Sequence, residues 1–103
     1  MPRTKCKRHI ENQPNVTHYK PAGIPLRELT EITLELDELE AIRLADLESL
    51  YQNKAAEKMK ISRQTFGRII TSAHKKIAKA LIHGKSIKIN TQTTKKNEDN
   101  SNK

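Results

Sequence analysis

Four residues in the stretch ISRQTFGRII have the types and spacing that suit reading of DNA bases. Arg63 and Arg68 can each donate two hydrogen bonds to the major-groove edge of guanine, and Gln64 can pair in a similar way with adenine. Gly67 lies between them and carries no side chain, so a DNA backbone could approach closely there. The sequence therefore predicts base contacts at Arg63, Gln64, Gly67 and Arg68.

A second set of residues suits phosphate contacts, which supply affinity but no sequence information. Two are hydroxyl residues at the start of the same stretch, two are lysines farther along it, and four are cations near the N-terminus. They are Ser62, Thr65, Lys75, Lys79, Arg3, Lys5, Lys7 and Arg8. Lys76 fits the same role. Basic N-terminal arms follow phosphates or the minor groove in other DNA-binding proteins.

A long helix must position these residues. Ser62 is a good N-cap, and apolar residues then recur at steps of three or four. The members of this stripe are Phe66, Ile70, Ala73, Ile77 and Leu81. We predict a helix over residues 62–83, with Gly84 just beyond its C-terminus. At about 1.5 Å per residue, this helix would be on the order of 30 Å long.

Two shorter helices precede the long one. An apolar stripe predicts the first at about 36–48, and small inward residues mark the second at about 52–59. The stripe is Leu36, Leu39, Ile42 and Leu47, and the inward residues are Ala55, Ala56 and Met59. The predicted order is therefore a helix, a short helix, a tight turn and a capped basic helix. This is the order of elements in a helix-turn-helix. The sequence thus predicts a mainly α fold, with its helix-turn-helix domain over residues 25–89.

The flanking segments carry weaker patterns. In residues 1–24, a basic arm and loop, the run VTHY alternates and could form a short strand. The run PLRELTEI could form a turn or two of helix. KSIKI predicts a short strand that must pair with VTHY or with a second copy of the chain. Residues 90–103 contain no hydrophobic residue, so we expect a disordered tail.

Composition excludes several classes of protein. The 103 residues suffice for one domain, and no apolar run is long enough to span a membrane. The N-terminus has no apolar signal region and there is one cysteine, so we expect a cytoplasmic protein.

The net charge of +8 is unevenly distributed. Residues 21–50 carry eight carboxylates against two arginines, whereas residues 51–89 carry ten Lys and Arg against Glu57 alone. Such segregation is typical of a face that meets a polyanion.

Neither catalysis nor metal binding is predicted. The sequence shows no nucleophile with a base nearby, no glycine-rich phosphate loop and no paired acids, so we expect no enzyme. Cys6, His9 and His18 lack paired ligand spacing, so we expect no metal site and no cofactor.

Glu38, Glu40, Asp46 and Glu48 are expected on the solvated outer face of the first helix. An acidic helix of this kind could also contact RNA polymerase or another copy of the protein.

Much of the chain resembles a known family. The runs KPAGIPL, LDELEAIRLADLE and SRQTFGRI are its most specific motifs, and the likeness extends from residue 1 to residue 89. The family consists of small, functionally uncharacterised prokaryotic proteins, described only as predicted DNA-binding proteins. Within it, residues 34–81 are similar to region four of bacterial sigma factors, a helix-turn-helix of the winged-helix-like superfamily. The resemblance implies that Ser62 caps the recognition helix and that Arg63, Gln64, Gly67 and Arg68 face the groove.

Two positions depart from the family pattern. Lys60 stands where glycine is usual in the turn between the second and third helices, and a left-handed backbone there would cost about 1 kcal/mol. Glu35 stands where threonine often caps the first helix. Some relatives carry a C-terminal extension with cysteines or a cofactor-binding domain. Because the tail of this chain has no cysteine, a metal-linked role of those relatives does not transfer.

The function that these patterns favour is sequence-specific binding of double-stranded DNA, as a transcription regulator. A lone helix-turn-helix recognises few base pairs, so we expect a homodimer joined through KSIKI or the far end of the long helix. Two alternatives stay open. The basic helix could bind an acidic protein partner, such as RNA polymerase or a sigma factor, without reading bases. It could also package nucleic acid without sequence preference.

Overall fold

The computed structural model describes residues 9–11 and 13–91 and combines three helices with a three-stranded sheet. More than half of these residues are helical. The strands are β1 (His18–Tyr19), β2 (Glu31–Glu35) and β3 (Ser86–Asn90); the α-helices are α1 (Leu36–Ile42), α2 (Gln52–Met59) and α3 (Arg63–His83). A 3₁₀ turn covers Leu26–Glu28, and a π turn, Arg43–Leu47, continues α1. The predicted α-rich fold is confirmed at this level.

The ends of α2 and α3 agree with the sequence prediction. Ala55, Ala56 and Met59 are buried, as their small or flexible side chains suggested. Gly84 ends α3 in the left-handed conformation, with φ of 66° and ψ of 44°. Its backbone N–H donates to the carbonyl of Ala80, which satisfies an orphan acceptor of the last turn.

The first helix is where the predicted apolar stripe fails. Within the π turn, the backbone N–H of Glu48 donates to the carbonyl of Arg43, five residues back, at 2.9 Å. This wider turn shifts the register of the side chains, so that Leu44 is buried and Leu47 is exposed. The prediction that Leu47 lies in the stripe is therefore wrong.

The sheet has the strand order β1-β3-β2. β3 pairs antiparallel with β1 and parallel with β2, with Ile87 opposite Ile32 and Ile89 opposite Leu34. The predicted pairing of KSIKI with VTHY is confirmed, whereas the strand β2 was not predicted. Because both edges of β3 are occupied within the chain, β3 cannot pair with a strand of a second copy. Strand pairing through β3 is therefore not a route to the expected homodimer, which itself stays a prediction.

Two apolar clusters form the core, and α3 contributes to both. The first joins α1, the π turn, α2 and the start of α3, with Phe66 and Met59 fully buried at its centre. The second joins Leu34 and Ile89 of the sheet to Ala73 of α3. Leu81, predicted to continue this apolar side, is 75% exposed, although its neighbour Ala80 is buried.

The tight turn between α2 and α3 is made by residues 60–62. Lys60 adopts φ of 60° and ψ of 43°, a left-handed conformation at the position where glycine is usual in the family pattern. Its backbone N–H donates to the carbonyl of Glu57, which closes the last turn of α2. The turn then leads directly into Ser62, so the orientation of α3 against α2 is fixed by three residues.

Candidate nucleic-acid interface

The first turn of α3 is built around Ser62. The backbone N–H of Thr65 donates to Ser62 Oγ at 3.0 Å, which confirms Ser62 as the N-cap. The hydroxyl of Ser62 in turn donates to Thr65 Oγ1 at 2.9 Å. Both hydroxyls, predicted as phosphate contacts, are therefore engaged in the cap. Thr65 is half-buried, while Arg63 and Gln64 are exposed on the capped turn.

One side of α3 is polar and cationic along its length. We call it the basic face; its residues are Gln64, Arg68, Thr71, Lys75 and Lys79, all exposed. They recur at steps of three or four, opposite the buried side that carries Phe66 and Ala73. The helix contains no Asp or Glu, and within the described part of the chain no carboxylate pairs with Arg63, Arg68, Lys75 or Lys79.

An open groove runs between this face and the start of α2. Its lining includes Gln64, Gly67, Arg68, Thr71 and Lys75 of α3, together with Gln52 of α2. Gly67 is half-buried in the groove, and a Cβ built on it would lie 3.6 Å from Gln52 Oε1, an ordinary contact distance. The groove thus brings three of the four predicted base-contact residues together, while Arg63 is exposed on the first turn of α3 but does not line the groove.

Sequence reasoning missed two residues of this groove. Thr71 follows Arg68 by three residues and precedes Lys75 by four, so the helical period alone could have placed it on the basic face. Gln52 belongs to α2, and only the packing of α2 on α3 brings it to the groove.

The inner side of α3 is tied to α1 by a buried carboxylate. Lys76 Nζ donates to Glu38 Oε1 at 2.7 Å and to the carbonyl of Thr33 at 2.8 Å, while Ser72 Oγ donates to Glu38 Oε2. The backbone N–H of Glu35 donates to the same carboxylate, which caps α1. Burial would raise the pKa of Glu38, but these hydrogen bonds and the charge of Lys76 hold the pKa below its ordinary value.

A second buried carboxylate anchors the N-terminal segment. Arg43 donates to both oxygens of Glu40 at 2.9 Å, and the backbone N–H of Glu11 donates to Glu40 Oε2. Arg43 also reaches the side chains of Glu11 and Glu48. Burial would raise the pKa of Glu40, yet the bonds from Arg43 and Glu11 lower it; the same bonds, led by that from Glu40, raise the pKa of Arg43.

Three sequence predictions are corrected by these contacts. Glu38 and Glu40 are 6% and 3% exposed, so they do not lie on a solvated face. The reason is that α3 and the sheet cover one side of α1, while the N-terminal segment covers another. Lys76, predicted to hold phosphate, points inward to Glu38 instead. Asp46 and Glu48 are exposed, as predicted, although each contacts another side chain: His74 Nε2 lies 2.7 Å from Asp46 Oδ2, and Arg43 Nη1 lies 3.2 Å from Glu48 Oε2.

The predicted basic arm has a defined attachment point. Arg3, Lys5, Lys7 and Arg8 lie outside the described residues, as do residues 92–103 of the predicted tail. The backbone N–H of His9 donates to the carbonyl of Met59 at 2.9 Å, one residue before the left-handed Lys60. The chain therefore enters the described fold beside the turn that leads into α3.

The described residues offer neither a cluster of metal ligands nor a membrane-spanning helix. No group of three or more His, Cys, Asp and Glu in that part of the chain is placed to hold a metal ion. No helix there is long and apolar enough to cross a membrane.

The fold and the surface define a small α-rich protein with a three-stranded sheet and a basic helix face. Residues 1–97 match the family model described as "Protein of unknown function DUF134". The chain therefore belongs to this family of uncharacterised prokaryotic proteins, as its motifs suggested.

Curated relatives carry the family name UPF0251 protein. One from Prosthecochloris aestuarii is 54% identical over 97 residues, which cover 94% of this chain and 63% of that protein. One from Caldanaerobacter subterraneus is 56% identical over 89 residues, covering 86% of this chain and 75% of that protein. One from Chlorobaculum tepidum is 56% identical over 80 residues, covering 78% of this chain and 52% of that protein. No solved structure matches the chain.

Proposed function

We propose that this protein binds double-stranded DNA in a sequence-specific manner, with α2, the turn and α3 acting as a helix-turn-helix, and that it regulates transcription. The observation that carries the proposal is the first half of α3. A capped turn exposes Arg63 and Gln64, Arg68 follows on the basic face, and the opposite side is locked into the core by Phe66 and Ile70. A rigid helix with exposed arginine and glutamine at its start has the chemistry that major-groove reading requires.

The roles divide by position along α3. Arg63, Gln64 and Arg68 contact base edges. Gly67 carries no side chain, so the DNA can approach the surface of α3 closely at that point. Lys75 and Lys79 lie about two and three turns beyond Arg68 and contact phosphates. Ser62 and Thr65 primarily hold the cap, and the hydroxyl hydrogen of Ser62 is already donated to Thr65, so a phosphate contact in this pair comes from the Thr65 O–H. The attachment of His9 beside Lys60 supports a phosphate role for the basic arm.

The structure adds two polar groups to this surface. Gln52 and Thr71 line the same groove as Gln64 and Arg68. When α3 enters a major groove, the start of α2 faces the adjacent phosphate backbone, where the Gln52 amide can donate. This role of Gln52 follows from the packing of α2 beside Gly67 and rests on the proposed orientation of α3.

The direct test is enrichment of a random duplex pool, followed by anisotropy titration of the enriched and scrambled duplexes. Arg63→Ala should weaken binding of the enriched duplex by about 1–3 kcal/mol, roughly 5- to 150-fold, and leave the scrambled duplex nearly unchanged. Arg27→Ala is the matched control, because Arg27 is exposed on the 3₁₀ turn, away from α3.

Two outcomes contradict the proposal. If all duplexes bind alike and moderate salt abolishes the complexes, the basic face binds nucleic acid without reading it. If Arg63→Ala leaves DNA binding unchanged but removes RNA polymerase or a sigma factor from a pull-down, the protein is an interaction module.

A further inference from the structure

A glycine lies inside α3 although nothing in the described part of the chain requires one there. Gly67 is one of the 21 residues of α3, and it is not among the glycines whose φ is positive. Beyond the local backbone of α3, a Cβ built on Gly67 would meet one atom of the described residues, Gln52 Oε1 at 3.6 Å. Glycine is less favourable in a helix interior than any residue except proline. The chain therefore loses stability at Gly67 without gaining backbone freedom or packing space.

Gly67 lies at the margin of the basic face that borders α2. At about 100° per residue, Gly67 is turned by about 60° from Gln64 in one direction, and Arg68 by about 40° in the other. The Gln52 oxygen beside Gly67 shows that α2 borders the first of these margins. Thr71 follows Gly67 by four residues, so it lies one turn farther along near the same margin. We call the space over Gly67, between Gln52 and Thr71, the notch.

The groups around the notch are hydrogen-bond donors and cations. The groove that contains the notch is lined by polar side chains, two of them cationic and none a carboxylate: Gln52, Gln64, Arg68, Thr71, Ser72 and Lys75. Within the described part of the chain, nothing is hydrogen-bonded to the side chains of Gln52 or Thr71. A small acceptor with negative charge complements such a lining. In DNA that group is the backbone phosphate, to which glutamine and threonine side chains donate hydrogen bonds.

We propose that the notch seats a backbone phosphate of one DNA strand, an inference that rests on the proposed function. The major groove is about 12 Å wide and an α-helix with its side chains is about 10–12 Å across, so a helix in the groove has little room at its margins. When Gln64 and Arg68 face base edges, these margins face the two sugar–phosphate walls of the groove. At Gly67 the missing side chain lets one wall come against the helix backbone.

Two neutral side chains hold the phosphate in the notch. The Gln52 amide, which no group in the described residues fixes, rotates to present its NH₂ group, and the Thr71 hydroxyl donates from the next turn of α3. Because one donor lies on α2 and the other on α3, the phosphate fixes how deeply the two helices enter the groove. Gly67 thus contacts the DNA backbone and not a base, in contrast to the expectation from the sequence.

The first test is Gly67→Ala, which should change stability and DNA affinity in opposite directions. The urea concentration at the midpoint of unfolding should rise, because alanine favours the helix and its Cβ has space. Affinity for the enriched and the scrambled duplex should fall by at least about fivefold, because the methyl group holds the phosphate away from two donors. The preferred sequence should not change.

Three outcomes of this test overturn the proposal. A more stable protein cannot lose binding by unfolding, so unchanged affinity of Gly67→Ala would mean that no phosphate occupies the notch. A changed preference at one base pair would mean that Gly67 meets a base. A lower midpoint of unfolding would mean that the chain itself requires the glycine.

The second test removes the two donors separately. Gln52→Ala and Thr71→Val should each weaken binding about 2- to 13-fold for every duplex. The slope of log K against log salt should stay as it is, because a neutral side chain releases no counterions. Asn53→Ala is the matched control: Asn53 is the exposed neighbour of Gln52 on α2 but does not line the groove. Equal effects of Gln52→Ala and Asn53→Ala overturn the proposal.

The third test locates the phosphate on the DNA. Phosphates of the enriched duplex are replaced by uncharged methylphosphonates, one position at a time. At the position that occupies the notch, the loss of affinity should be at least about twofold smaller for Gln52→Ala than for the parent, because part of the contact is already missing. At other positions the two proteins should respond alike. Equal losses in both proteins at every position overturn the proposal.

The notch and the DNA function fail in different ways. If Arg63→Ala relaxes specificity for the enriched duplex while Gly67→Ala binds as the parent does, the notch alone is overturned and the DNA function stands. If no duplex is enriched, the DNA function is overturned and the notch with it.

Discussion

At the scale of single residues, the tight turn before α3 carries backbone strain. Lys60 and Ser49 are the described non-glycine residues with positive φ, both at 60°. In this conformation the Cβ atom crowds the following carbonyl, at a cost of about 1 kcal/mol. Lys60 lies in the turn that orients α3. Its neighbours Ile61 and Met59 pack against the helical core, and this packing keeps Lys60 in the strained conformation.

Lys60→Gly should therefore stabilise the protein. We expect the free energy of unfolding to rise by up to about 0.5 kcal/mol, because relief of the left-handed strain exceeds the extra chain entropy that glycine loses on folding. Urea unfolding measures the change. Lys58→Gly is the control: Lys58 is helical and exposed, so the same substitution should lower the stability by about 1 kcal/mol. A loss of stability in Lys60→Gly would contradict this reading of the turn.

At the scale of elements, α1 joins the molecule through buried carboxylates. Glu38 links it to α3 through Lys76 and Ser72, and Glu40 links it to the N-terminal segment through Arg43 and Glu11. A buried charge without its partners is costly, so each carboxylate fixes the position of the element that it contacts. The position of α3, and with it the basic face, depends on Glu38.

The stability should fall in acid because of these two groups. Their pKa values in the folded protein are lowered, so their contribution is complete above the ordinary carboxyl pKa of about 4.5 and is lost as the pH falls through the folded values. Glu38→Gln should be less stable than the parent by about 1–3 kcal/mol at pH 7, and the difference should shrink below pH 4.5.

Urea unfolding at a series of pH values provides the measurement. Glu28→Gln serves as the control, because Glu28 is exposed on the 3₁₀ turn and its replacement should leave the acid dependence as it is. A Glu38→Gln protein with the full acid dependence of the parent would show that Glu38 is not one of the groups responsible.

At the scale of the whole molecule, charge is divided between elements. The carboxylates of Glu38 and Glu40 in α1 pair with Lys76 and Arg43, while α3 contains lysine and arginine but no acidic residue. In the sheet, residues 18–19 and 31–35 pair with residues 86–90. Because residues 86–90 follow α3 after a short turn, this pairing fixes the C-terminal end of α3. The result is a molecule with one long cationic side.

DNA binding, where it occurs, should depend on salt through this side. Lys75→Ala and Lys79→Ala should each reduce the slope of log K against log salt by about 1, because each removes one phosphate contact. Neither should change the preferred sequence. Lys88→Ala is the matched control, since Lys88 is exposed on β3 rather than on α3. Equal effects of all three substitutions would mean that charge acts diffusely and not through the basic face.

The sequence by itself determined the parts of this protein that depend on local period and on end signals. Helix periodicity located α2 and α3, Ser62 and Gly84 marked the ends of α3, and the step of three or four placed Gln64, Arg68 and Lys75 on one side. These features need no knowledge of distant residues, because they follow from the geometry of one helix.

Only the tertiary structure decided which polar groups are buried and which apolar groups are not. Glu38 and Lys76 looked like surface charges until α1 packed on α3, and Leu81 looked like core although no element covers it. The strand β2 needed β3 as a partner, from 55 residues farther along the chain. Burial depends on what lies across from a side chain, and that is a property of the fold rather than of the local pattern.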